Sequence, residues 1–383
     1  MMVSCLSPNG CTTSTGNEPL KEFMAGTLAG IYVIAREGVD SPWKVARKTM
    51  IGKHISSIAH EPRSGNIYVG VHGGGGLWLS EDGGYEWRQL PIKHPHVYTL
   101  AVQYRGEATV LFAGVEPASL WRSDDLGETW YNFPSLETVP EHEKWVFPPP
   151  PHISHVKNIA WHDSAPETLY VSVEQGGVFK TTDDGETWVE LKDYIDEEAD
   201  KFYRDIHRVL VRKSDANTVV MSTGDGFYNS SNGGTTWSQQ TSRHDRVGYP
   251  DAMVLDPYDE NIVYMAGSCD APQDWKARDG NSNATVMKST DGGISWKTIN
   301  KGLPIPVVGN IEAMGMYSWD GNVAFIAGTA TGEIYFSDDA GESWTVILQD
   351  LPPISKSGHY RWFLTDEERD NIEKKMYEWA NIT

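Results

Sequence analysis

Three histidines occupy the same place in three similar stretches of this chain. His54, His96 and His155 open the runs His54-Ile-Ser-Ser-Ile-Ala59, His96-Val-Tyr-Thr-Leu-Ala101 and His155-Val-Lys-Asn-Ile-Ala160, and His359 opens a related run near the C-terminus. Asp205, Tyr249 and Asn310 take that place in three further runs. A second series of runs ends just before His72, Glu116 and Glu174, while Tyr98, Lys157, His207, Asp251 and Glu312 lie two places into the first series. Only 12 of 383 residues are histidine, so four in seven equivalent slots exceeds chance. Imidazoles that converge with carboxylates can hold a divalent transition metal such as Zn, Mn or Cu. The expected ligands are His54, His96, His155, His72 and His359. The same residue types can also move protons directly, which makes His207, Lys157, Tyr98, Glu174 and Glu116 the candidate acid–base groups. A third reading is a water-filled channel lined by polar side chains that bond to one another.

What positions these residues is a repeat. Six octets of the form S-x-D-x-G-x-x-W end at Trp87, Trp130, Trp188, Trp237, Trp296 and Trp344, 43 to 59 residues apart, with Thr181 and Asn232 as the main variations. A period of this size marks blades or solenoid units. Within the octet the Asp suits a turn, because its short side chain accepts bonds from nearby backbone N–H groups. The Gly supplies a positive φ. The Trp places a large apolar surface between sheets. This device is structural and carries no chemistry.

The octets resemble the Asp-box, or BNR, repeats of sialidase-like β-propellers and span residues 80–344. That resemblance implies blades of four antiparallel strands, with the box between the third and fourth strands on the face away from any active site. The expected fold is therefore all-β, a seven-bladed β-propeller. Six blades are complete, and the seventh is split between the termini. Three of its strands come from the region of 25–44, and the innermost comes from 359–364. Residues 1–20 are expected to be a flexible lead, 21–364 the propeller, and 365–383 a short capped helix and tail. Three long connections, 131–154, 191–204 and 268–284, should wall the face bearing the histidines, since binding usually resides on long loops over a rigid scaffold.

Composition narrows the partners. A net charge of −21 argues against nucleic acid and against an anionic membrane surface. The odd set Cys5, Cys11 and Cys269 implies no disulfide framework. The first seventeen residues lack a secretory layout, and no apolar run approaches a membrane span, so a cytoplasmic, monomeric protein is expected. The resemblance does not extend to sialidase chemistry, for there is no R-I-P motif and few arginines lie at channel-facing positions. Asp-box glycosidases acting on xyloglucan are larger, photosystem assembly factors carry a basic patch, and sorting receptors add a cysteine-rich domain. Uronate lyases with a His-bound metal offer an analogy of site only. The expectation is a metal-dependent hydrolase or lyase acting on a small or carbohydrate-like substrate. The alternative is a non-catalytic ligand-binding or assembly propeller.

Overall fold

A computed structural model describes residues 4–147, 153–195, 204–275 and 280–356, with Gly358, Arg361, Phe363, Thr365 and Glu367. Its strands form seven sheets arranged as a ring of blades. The inner strands of six blades are Ile55–Glu61, Val97–Arg105, Val156–His162, Ile206–Arg212, Tyr249–Leu255 and Ile311–Trp319. Each begins at or immediately after the residue expected to open it. Each pairs antiparallel with the next strand, so the second strands Asn66–Val71, Ala108–Val115 and Ala165–Val173 end where the inner strands start. That geometry brings His72, Glu116 and Glu174 to the same mouth as His54, His96 and His155.

Every octet is built alike. The hydroxyl of its first residue donates to the Asp or Asn Oδ1 at 2.7–3.0 Å and accepts the glycine N–H at 2.8–2.9 Å. The carboxylate or amide oxygen also accepts the N–H of the residue before the Trp at 2.8–3.0 Å. The six glycines have φ of 83° to 96°, as the turn requires. Since the third strand runs away from the mouth, the octets close the opposite face. Buried side chains of adjacent blades fill the space between sheets, for example Met24, Ile31 and Val33 against Ile58, Ile67 and Val69.

Closure of the ring differs from expectation. The seventh blade comprises Glu22–Thr27, Gly30–Ala35 and Lys44–Thr49, with Ser4–Leu6 as its innermost strand, paired in parallel to Glu22–Thr27. A second N-terminal strand, Gly10–Thr15, adds in parallel to Ile311–Trp319 and makes that blade five-stranded. The lead expected to be flexible is therefore part of the ring over these two strands. The sequence hid this because Ser, Thr and Gly dominate the segment and no apolar alternation runs through it. Gly315 admits these strands, since a Cβ there would sit 2.9 Å from the Cys5 carbonyl oxygen. His359 and most of the C-terminal helix expectation lie outside the described residues. Among the described residues, 351–356 are buried, and the backbone N–H of Leu28 donates to Pro353 O at 3.0 Å.

Leu6 is fully buried against Phe23, Ala25, Ile326 and Ile354. Leu6→Ala should destabilise the fold by about 2–5 kcal/mol, read as a lower urea midpoint. An unchanged midpoint would mean that Ser4–Leu6 contributes nothing to closure.

Candidate functional site at the channel mouth

The mouth holds a connected chain of titratable groups. His72 is half-buried, and its Nε2 lies 3.4 Å from Glu116 Oε1. The other Glu116 oxygen lies 3.2 Å from His155 Nδ1. His155 is fully buried, and its Nε2 contacts Glu174 Oε2. Lys157 Nζ then donates to Glu174 Oε1 at 2.7 Å. These five residues thus run from the rim to the axis of the ring. Tyr98 stacks on His155 with ring centroids 3.6 Å apart, and Phe147 covers another side at 5.2 Å. Phe147 belongs to 131–154, so the first long connection does wall the site.

The second segment of the network comes from the chain end. Lys356 is buried at the axis and donates to Asp251, with Glu174 3.7 Å away. Asn310 Nδ2 donates to Asp251 Oδ2 at 2.6 Å, and Ser355 Oγ donates to Glu312 Oε2 at 3.1 Å. From the N-terminal lead, Asn9 Nδ2 donates to the carbonyls of Tyr98 and Lys157, each at 3.1 Å. Below this polar layer the channel widens into a cavity of about 590 Å³ lined by Thr12, Ser57, Thr99, Asn158 and Met253 among others.

Electrostatics follow from these contacts. Burial pushes the Glu116 carboxyl up, but His155 and His72 outweigh it and hold it at about 2. Burial opposes the Glu174 charge as well, yet Lys157, Lys356 and His155 carry its carboxyl well below the ordinary range. Burial lowers the Lys157 ammonium to about 8 against the pull of Glu174. Lys356 moves the other way: Asp251, Glu174 and Glu312 overcome burial and raise it. Burial lowers His54 to about 3, and His72 acts in the same direction.

The expected metal ligands are near one another without sharing one point. His54 and His72 have ring centroids 5.2 Å apart, and His72 and His96 5.8 Å apart, so the three form a row along the rim. His54 Nε2 is 3.0 Å from the Ser355 carbonyl oxygen. Both His155 nitrogens face carboxylates, which leaves neither lone pair directed at this row. Of the expected acid–base groups, Glu116 reaches the rim, whereas Lys157, Tyr98, Glu174 and His207 are buried. His142 is exposed; His94 is half-buried, and its Nδ1 accepts the His96 N–H. Among the described residues, one set of three His, Cys, Asp or Glu donors lies within 4.8 Å mutually: Glu174, Asp205 and His207. Sequence reasoning placed Asp205 in the correct column without assigning it a role. It missed Lys356 entirely, because a lysine following Pro352 and Pro353 carries no strand signal.

Comparison with known proteins supports the architecture. An ancestral GH74 enzyme aligns with a TM-score of 0.58 at 17% identity, over 78% of this chain and 38% of that one. The fold is a propeller ring. At this identity the likeness establishes the fold alone. A YCF48 structure from Cyanidioschyzon merolae aligns at a TM-score of 0.49 with 15% identity, covering 76% of this chain and 84% of the other. A vacuolar protein sorting/targeting protein 10 from Sordaria macrospora is 29% identical over 85 residues, which is 22% of this chain and 5% of that relative. No protein-family model matches the chain.

His54 and Glu116 together set an acid limit. The folded state keeps His54 neutral, while the unfolded chain protonates it near 6.5; its contribution is present above that pH and is lost as pH falls through about 3. Glu116 follows the same sign between 4.5 and about 2. The melting temperature should fall as pH drops below about 6.5, and His54→Gln should flatten the decline above the carboxylate range. Parallel curves for the two proteins would contradict this.

Proposed function

We propose that the channel mouth is the active site of a hydrolase or lyase acting on a small or carbohydrate-like substrate. The observation that carries this reading is the unbroken His72–Glu116–His155–Glu174–Lys157 chain, which links a half-exposed imidazole to a buried amine. Both reaction types need a proton removed, from water or from carbon, and a proton returned to a leaving oxygen. His72 at the rim is the group nearest an incoming substrate. Glu116, ionised at neutral pH, orients that ring and takes up its charge. His155 fixes Glu116 from behind, and Glu174 with Lys157 balances His155. A divalent transition metal such as Zn, Mn or Cu, if held by the carboxylate and imidazole donors Glu174, Asp205 and His207 of this pocket, would supply electrophilic assistance to the substrate oxygen.

The same burial favours a second reading, a non-catalytic propeller that grips a ligand, because Lys157 and Glu174 are each only 1% exposed. Turnover separates the two. The protein would be assayed against neutral glycosides and uronate-containing oligosaccharides, followed by Glu116→Gln on any substrate turned over. Glu116→Gln should lower kcat/KM by about 10²–10⁴-fold. Ligand binding without turnover across the panel, or turnover that Glu116→Gln leaves intact, would count for the binding reading.

A further inference from the structure

His207 is the second residue of Ile206–Arg212 and is fully buried. Its Nδ1 lies 2.9 Å from the Pro250 carbonyl oxygen. A carbonyl only accepts, so Nδ1 carries the hydrogen, and in the neutral ring Nε2 presents its lone pair. Nε2 has no hydrogen-bond partner. It faces Asp205, whose Oδ2 is 3.4 Å away. Asp205 Oδ2 accepts the Tyr249 hydroxyl at 2.7 Å, while Asp205 Oδ1 has no partner either. Glu174 is held beside them by a backbone bridge to Asp205, and one donor atom from each of the three residues lies within 4.8 Å of the others.

Buried polar atoms without partners are uncommon and call for an explanation. A proton on His207 Nε2 would address one orphan and leave Asp205 Oδ1 unpaired. A cation between them addresses both. Carboxylates gather at the same place: Glu174, Asp205, Asp251 and Glu312 are buried there with Lys157 and Lys356. We infer that Glu174, Asp205 and His207 form a buried site for one divalent transition metal of the zinc or manganese class, which accept imidazole and carboxylate donors. The surroundings supply what such ligands need: Pro250 O fixes the His207 tautomer, Tyr249 holds Asp205, and His155 with Lys157 holds Glu174. The inference names the metal position within the proposed active site. It rests on that reading for its role in turnover and on geometry alone for binding.

The test uses the full chain, stripped with chelator, reloaded with Zn²⁺ or Mn²⁺, desalted and measured by inductively coupled plasma mass spectrometry. About one equivalent should remain, with a raised melting temperature. His207→Gln should retain at least about tenfold less metal, whereas a His54→Ala/His96→Ala rim variant should retain it. Should His207→Gln fail to fold, Tyr249→Phe removes only the hydroxyl on Asp205 and should weaken affinity by about tenfold or more. No bound metal, equal retention by His207→Gln or Tyr249→Phe, or loss in the rim variant would overturn the inference. Turnover by metal-free protein would overturn the metal's role in turnover and leave the proposed activity standing. Metal-loaded protein inert on every substrate sinks the proposed activity and leaves the site standing.

Discussion

Seven sheets that meet on one axis leave the starts of their inner strands with polar groups and little water. Those groups must satisfy one another. Here they do so through Lys157 on Glu174 and Lys356 on Asp251, all four side chains being 1% exposed. Removing one partner of such a pair leaves a stranded charge, at a cost of about 3–5 kcal/mol. Replacing the whole set by apolar groups need cost little, so stability alone does not account for ions on the axis. Segments far apart in the chain meet here: Asn9 on one side, Ser355 and Lys356 on the other. A substitution that loosened the N-terminal strands would reach the mouth through Asn9 before it reached any other surface.

The two faces of the ring use the same residue types for different ends. On the octet face, Asp183 and Asp291 are held at about 2 by hydrogen bonds from the hydroxyl and backbone of Thr187 and Ser295. Their charge is consumed by the turn. At the mouth, Glu116 is also held at about 2, yet its partners are two imidazoles, one of them half-exposed. A lowered carboxyl is therefore no indicator of function in this protein. The distinction lies in whether the partner can itself exchange a proton.

The octets and the inner-strand openings made the ring readable from sequence, because both are local. A turn needs its own Ser, Asp and Gly, and a strand start is marked by the run that follows. Long-range pairing was less legible. Ser4–Leu6 is short and bonds in parallel to a strand some twenty residues away, and only the inner edge of the seventh blade gives it a reason to be ordered. Lys356 is the same kind of case, as its identity as a network member depends on Asp251 and Glu174, more than a hundred residues earlier. Among the described residues, these His, Glu and Asp positions lie at the starts of inner strands and the ends of second strands. Which members face one another was not readable, since side-chain direction at a strand start depends on the bulge that follows it. Such register shifts occur after Ile55, Val97, Val156, Ile206 and Ile311.

Two buried histidines at successive levels of the mouth are held differently. His155 precedes its strand and has a carboxylate on each ring nitrogen. Both of its nitrogens are therefore committed to carboxylates. His207 lies within its strand, two places on from Asp205, with the Pro250 carbonyl on Nδ1 and Asp205 Oδ2 3.4 Å from Nε2. In the neutral ring that arrangement leaves the Nε2 lone pair facing Asp205. Glu174 touches His155 through one oxygen and stands beside His207 and Asp205. That one carboxylate stands between the rim network and the His207–Asp205 pair.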